Sequence, residues 1–132
     1  MEFTVEHIGL PANDPVALKD WYVKVLGARV FLAEERIPPA FFLVLPGGWL
    51  IEIYKATVAN PNVSNNGLAG WRHLALRVNS IEEAQKELGA KGVRFIEPIK
   101  AAGGGGRVLF FSDPEGNLLH LVERPPGTPF NP

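Results

Sequence analysis

The sequence contains no cysteine among its 132 residues. Disulfides, thiolate metal sites and a cysteine nucleophile are therefore excluded together. There is also no excess of positive charge, since the formal net charge is −1, and nucleic acid is not expected as a partner. No apolar run approaches the ~20 residues that a membrane span requires. No cationic and apolar leader follows Met1, so we expect a cytoplasmic protein without membrane contact.

The composition is that of an ordinary soluble domain. Hydrophobic residues make up 46% of the chain and charged residues 20%, well away from the values typical of disordered chains. The length suits one compact domain with one core. We therefore predict a single domain over residues 1–132.

An internal repeat organises this length. The segment from His7 to Asn13 resembles the segment from His73 to Asn79, and histidine and asparagine are six residues apart in both. Further along, Gly48 precedes Glu52 by four residues, as Gly116 precedes His120. The two copies lie 66 to 68 residues apart.

Each copy predicts a strand, a helix and then three strands. The fold class is therefore α+β, with two tandem βαβββ modules at about 1–57 and 71–124. An Asn-, Pro- and Gly-rich linker at 58–70 joins them, and a proline-rich tail at 125–132 is expected to be loose. The predicted strands are residues 3–10, 28–34, 40–45, 49–54, 71–78, 93–96, 107–111 and 118–123.

Capping signals set the predicted helix ends. Asn13 or Asp14 caps the first helix, Pro15 lies in its first turn, and Gly27 ends it. The second helix begins at a capping box that opens with Ser80 and ends near Gly92.

Four polar residues occupy equivalent strand positions in the two copies: His7, Glu52, His73 and His120. They include all three histidines of the chain. Each has apolar neighbours in sequence, and since successive strand residues face opposite ways, the four are predicted on the face away from the core. We predict that they bind one divalent cation. The alternatives are half-buried core histidines and, for Glu52, a salt bridge, for example with Arg77.

Five segments resemble those of the vicinal oxygen chelate superfamily, which includes glyoxalase I, fosfomycin-resistance enzymes and extradiol dioxygenases. They are residues 5–9, 20–27, 50–54, 72–76 and 111–121. The resemblance implies a curved mixed sheet around a metal-binding cavity, a homodimer, and metal ligands at the four positions. Bacterial glyoxalase I uses His, Glu, His and Glu there, so His120 replaces the glutamate thought to serve as base. Three imidazoles and a carboxylate favour Zn, Ni, Co or Fe(II).

The function that this resemblance implies is a glyoxalase I-like lyase or isomerase. It would act on a small substrate with vicinal oxygens through a metal-stabilised enediolate, with Glu52 or His120 as the base. One alternative is an Fe(II) extradiol-type dioxygenase. Another is a non-catalytic protein that sequesters a drug, as bleomycin-resistance proteins do, although retention of four metal-competent side chains argues against it.

Three further residues are candidates for substrate binding. Lys100 and Arg107 flank a glycine run at 103–106 and could bind an anionic substrate, or could simply be solvated. Trp71, together with Phe42 and Tyr54, could line an apolar pocket, or could lie in the core or at a dimer interface, and a core position is favoured. The glycine run lacks the features of a P-loop and is interpreted as a flexible loop or a lid.

Overall fold

The computed structural model describes all 132 residues as two compact units, residues 1–60 and 61–132. The division falls inside the predicted linker. Each unit contains one helix and one four-stranded sheet, and the strand order in the two sheets is equivalent. The prediction of two tandem βαβββ modules is thereby confirmed. None of the helices has the length and apolar character that a membrane span demands.

Unit 1 contains β1 (Ile8–Ala12), α1 (Pro15–Leu26), β2 (Arg29–Glu34), β3 (Ala40–Val44) and β4 (Leu50–Lys55). Its sheet has the order β1-β4-β3-β2. β1 runs parallel to β4, and the other neighbours are antiparallel. The first and last strands of the module are thus hydrogen-bonded neighbours.

The predicted ends of α1 are confirmed. The Asp14 carboxylate accepts a hydrogen bond from the Ala17 amide at 3.1 Å, Pro15 is the first helical residue, and Gly27 adopts a left-handed φ of 74°. Leu18 is buried on the helix, as Leu43 and Ile53 are on the sheet against which it packs. This packing covers one face of the sheet.

Unit 2 contains β5 (His73–Arg77), α2 (Ile81–Ala90), β6 (Lys100–Ala101), β7 (Arg107–Ser112) and β8 (Leu118–Glu123). Its sheet has the order β5-β8-β7-β6, with β5 parallel to β8. The Ser80 hydroxyl caps α2 by accepting a hydrogen bond from the Glu83 amide at 3.2 Å. The Ile81 amide donates to the Glu123 carboxylate at 2.9 Å, so β8 supplies a second cap.

Two predicted strands differ from the structure. The prediction of a strand at 93–96 is wrong. The Val93 amide donates back to the Leu88 carbonyl oxygen and Gly92 has a φ of 92°, so the start of this segment belongs to the C-terminal cap of α2. The sheet is completed instead by β6, a strand of two residues. The first strand was predicted from residue 3, but its pairing with β4 begins only at Ile8, opposite Ile51.

The predicted loose tail is also wrong. The Gly127 amide donates to the Asn131 carbonyl oxygen at 2.8 Å, and the Arg124 guanidinium lies 4.1 Å from the centre of the Phe130 ring. Arg77 donates to the Phe130 carbonyl oxygen at 2.9 Å. These contacts hold the tail against β5, Arg124 and the glycine run.

Candidate functional site

The parallel pairing of opening and closing strands brings each predicted pair of ligands together. In unit 1, Gly9 pairs with Glu52, and His7 lies two residues earlier on the same side of the chain. In unit 2, Ala75 pairs with His120, and His73 lies two residues before Ala75 on the same side of the chain. The apolar neighbours of Glu52 and His120 are buried on the helix-covered faces. Each unit therefore presents one polar pair on its uncovered face.

The pair in unit 1 consists of an imidazole and a carboxylate. His7 Nε2 lies 3.6 Å from Glu52 Oε1, with side chains that are 31% and 24% exposed. His7 Nδ1 lies 2.9 Å from a carboxylate oxygen of Glu6. Glu52 therefore pairs with His7, and the alternative partner considered for it, Arg77, donates instead to the tail.

The pair in unit 2 consists of two imidazoles. The ring centres of His73 and His120 lie 4.8 Å apart. His73 is on the exposed side of β5, whereas His120 is buried, with 6% of its surface exposed. Burial lowers the pKa of His120, because it disfavours the charged imidazolium, and the nearby His73, Arg124 and Lys100 act in the same direction. His120 is consequently a neutral imidazole at neutral pH.

A phenylalanine adjoins each pair, and the sequence interpretation missed the one in unit 2, Phe110. Phe42 is the cross-strand neighbour of Glu52, and Phe110 is that of His120. Phe42 meets the His7 ring edge-on with centres 5.2 Å apart, and the Phe110 and His120 centres lie 4.8 Å apart. The detectable signal was the 68-residue offset that Phe42 and Phe110 share with Glu52 and His120.

Each histidine has an oxygen acceptor at Nδ1. The acceptors are Glu6 for His7, the Asn66 side chain for His73 at 2.9 Å, and the Leu121 carbonyl for His120 at 3.1 Å. An oxygen that only accepts requires the proton to reside on Nδ1, and in the neutral ring this leaves the lone pair on Nε2. Metal-binding histidines are commonly oriented in this way, with the second nitrogen donating to an oxygen.

The donor chemistry fits a divalent cation. In the neutral form with the proton on Nδ1, His7 would direct the Nε2 lone pair toward the Glu52 carboxylate, and a shared cation would stabilise that arrangement. Two ligands of one ion at bond lengths of about 2.1 Å are separated by about 3–3.5 Å, close to the observed 3.6 Å. The structure shows no group of three or more His, Asp or Glu side chains placed to hold a metal ion. Of the four predicted ligands, the structure brings together His7 with Glu52 and His73 with His120.

The candidate substrate-binding residues have different surroundings. Lys100 lies next to the histidine pair of unit 2, with its ammonium 4.9 Å from the centre of the Phe110 ring and 3.4 Å from a Glu97 carboxylate oxygen. Trp71 is 93% exposed in the chain, so its favoured core position is wrong. It lies two residues before His73, the first residue of β5, and no apolar element covers it.

Arg107 is held by two carboxylates. It forms a two-pronged contact with Glu82 at 2.7 and 3.0 Å and donates to Glu123 at 2.9 Å. These partners link β7 to the start of α2 and to β8. These contacts weigh against substrate binding by Arg107. Its role in substrate binding stays a prediction.

Comparison with known proteins identifies the family. Residues 4–121 match the Glyoxalase/Bleomycin resistance protein/Dioxygenase superfamily. The chain therefore belongs to this superfamily, which confirms the resemblance drawn from its sequence.

Two relatives illustrate the range of similarity. The chain is 34% identical over 125 residues to the uncharacterized protein YwkD of Bacillus subtilis (strain 168), covering 92% of this chain and 97% of YwkD. It is 24% identical over 128 residues to lactoylglutathione lyase GLX1 of Arabidopsis thaliana, covering 91% of this chain and 44% of that enzyme.

Solved structures share the fold. A glyoxalase family protein from Enterococcus faecalis is 31% identical, with a TM-score of 0.74 and coverage of 91% of this chain and 97% of that one. The fosfomycin resistance protein FosX from Listeria monocytogenes is 20% identical, with a TM-score of 0.70 and coverage of 95% and 93%. A mutant of that FosX was solved with Mn(II) and a dihydroxypropylphosphonic acid, and the likeness to it shows the fold.

Proposed function

We propose that this chain is a divalent-metal-dependent lyase or isomerase of the glyoxalase type, with His7, Glu52, His73 and His120 as ligands of one cation. The observation that carries the proposal is the equivalent pairing in both units. His7 lies 3.6 Å from Glu52, and the His73 and His120 rings are 4.8 Å apart. The lactoylglutathione lyase relative and the Mn(II) bound to FosX support the same reaction class and cofactor type.

The chain's own residues supply binding and proton transfer. The three imidazoles would hold the cation through Nε2, while the oxygen acceptors at Nδ1 would fix their orientation. When bound, the cation acts as a Lewis acid toward the vicinal oxygens of a small substrate. Glu52 is the proposed base, whose partly exposed carboxylate would accept the proton from the carbon adjacent to the vicinal oxygens. His120 is the alternative base, because burial favours its neutral imidazole. In that case its Nε2 would accept the proton, and His7, Glu52 and His73 alone would hold the cation.

Lys100 is the proposed contact for an anionic substrate group. Its ammonium lies over Phe110, the neighbour of His120. The Glu97 contact of 3.4 Å is a weak competitor, because both side chains are more than half exposed.

Elemental analysis and a paired set of variants test the proposal. The purified protein is expected to contain one divalent ion per chain, and the double variant His7→Ala/His73→Ala is expected to lose tight binding of added Zn²⁺ or Mn²⁺. Glu52→Gln is expected to retain much of the metal and to lose turnover. Glu35→Gln is the matched control, because Glu35 is exposed and outside the site.

The identity of the metal separates this function from its alternatives. Nickel, cobalt or zinc supports the lyase or isomerase, whereas iron together with ring cleavage of a catechol would support a dioxygenase. A stoichiometric ion bound at unchanged affinity by the double histidine variant would contradict the proposed site.

A further inference from the structure

The linker between the modules contributes a side chain to the candidate site. We propose that Asn66 is a positioning residue that holds the proton of His73 on Nδ1 and so keeps its Nε2 free to bind the cation. The inference rests on the proposed function, because it gives Asn66 a role in binding at the same site. It starts from the 2.9 Å contact between Asn66 Oδ1 and His73 Nδ1.

The linker is ordered by hydrogen bonds around Asn65. The Asn65 side-chain oxygen accepts a hydrogen bond from the Gly67 backbone amide at 2.9 Å. The Asn65 backbone amide donates to the Asn62 carbonyl oxygen at 3.0 Å. Arg72, the neighbour of His73, donates to the Asn65 carbonyl oxygen at 3.3 Å. These bonds form a turn that faces the start of β5 and directs the Asn66 side chain at the imidazole.

The acceptor of His73 differs in origin from those of the other two histidines. Glu6 and Leu121 are sequence neighbours of the histidines they contact, whereas Asn66 is seven residues away. A side-chain substitution in the linker therefore removes the acceptor without altering a strand. The amide oxygen only accepts, so its partner nitrogen must carry the proton. Without an acceptor at Nδ1, neutral histidine favours the proton on Nε2, the nitrogen required for the metal.

The size of the effect follows from the exposure of the contact. Loss of an oxygen that orients a metal-binding histidine weakens metal affinity by about 10- to 100-fold. Asn66 and His73 are both exposed, so water competes for the hydrogen bond. The expected loss is therefore at the lower end, about tenfold.

Nitrogen NMR of the metal-free protein, at a pH where the imidazoles are neutral, is the first test. His73 is expected to show the form protonated on Nδ1 in the unaltered protein and in Asn66→Asp, whose carboxylate also accepts. In Asn66→Leu it should change toward the form protonated on Nε2. His120 is an internal control for folding, because its acceptor is the backbone of Leu121. A His73 signal that is protonated on Nε2 from the start, or that is unchanged in Asn66→Leu, would overturn the inference.

Titration with Co²⁺ is the second test. Asn66→Leu is expected to bind Co²⁺ about tenfold more weakly, while Asn66→Asp binds it at least as tightly as the unaltered protein. Equal affinity for all three proteins would overturn the positioning role. If the unaltered protein binds no divalent ion, the proposed function fails, whereas the NMR result still decides whether Asn66 sets the form of His73.

Discussion

At the scale of single residues, three consecutive glycines allow the loop between β6 and β7 to pack against the tail. Gly104, Gly105 and Gly106 all have positive φ, between 82° and 101°. A β-carbon at Gly104 would lie 2.5 Å from the Phe130 ring, and one at Gly106 would lie 1.9 Å from the carbonyl oxygen of Glu123. The loop was interpreted from the sequence as flexible or as a lid. In the structure Arg124 holds it by donating to the carbonyl oxygens of Gly103 and Gly105, both at 2.6 Å.

Gly106→Ala is therefore expected to destabilise the protein by about 2–4 kcal/mol. The added methyl group would overlap a backbone atom of β8, which cannot move without breaking the sheet, and φ would remain in the left-handed region. Urea denaturation at neutral pH measures the change. Gly103→Ala is the matched control, because a β-carbon there meets nothing within 4 Å and its φ is not positive. Equal stability of the two variants would contradict this packing.

At the scale of the elements, one ion-pair network joins α2 to its sheet. Glu123 on β8 accepts hydrogen bonds from the Ile81 amide and from Arg107, and Arg107 also contacts Glu82 in the first turn of the helix. The Ile81 amide, followed by Arg107, lowers the pKa of the Glu123 carboxyl group, and the Arg107 hydrogen bond lowers that of Glu82. The network therefore places the start of α2 relative to β8, the strand that carries His120.

Glu123→Gln is expected to lower the stability of the protein at neutral pH and to have less effect in acid. The pKa of Glu123 is depressed in the folded state. Its carboxylate therefore makes its full contribution to the stability of the protein above the unfolded-state pKa of about 4.3, and this contribution is lost as the pH falls through the folded-state pKa. The urea midpoints of the variant and the unaltered protein should thus differ at pH 7 and converge toward pH 3. The exposed Glu35→Gln variant should show no such dependence, and a constant difference for Glu123→Gln would contradict the expectation.

At the scale of the whole molecule, large apolar side chains remain exposed on a single chain. Val30, Phe31 and Leu32 follow one another on β2, an edge strand, and are 47%, 67% and 49% exposed. Trp71 is 93% exposed beside the strand that carries His73. Exposed apolar groups on a sheet edge are typical of surfaces that associate with another protein.

We expect a homodimer, as the family resemblance also implies. Sedimentation equilibrium at micromolar concentration should give twice the chain mass of 14.4 kDa. Phe31→Glu should shift the equilibrium toward the monomer, because association would then bury an unpaired charge. A monomer mass for the unaltered protein at that concentration would contradict the expectation.

The sequence by itself determined the features that depend on near neighbours. Asp14, Pro15, Gly27 and Ser80 specify helix ends because a cap needs only residues within one turn. The duplicated spacing and strand alternation predicted that His7 and Glu52, and likewise His73 and His120, would share a sheet face, because side-chain direction has a period of two. Both pairs lie close together in the structure.

Only the tertiary structure decided which distant groups meet. Asn66 reaches His73, Arg107 meets Glu82 and Glu123, and Phe130 contacts Arg124, through turns and strand pairings that no local period encodes. The predicted strand at 93–96 fails for the same reason. Its residues have a composition suitable for a strand, but β7 pairs with Lys100 and Ala101 instead. Composition states what a segment can form, whereas the available hydrogen-bond partners decide where it does so.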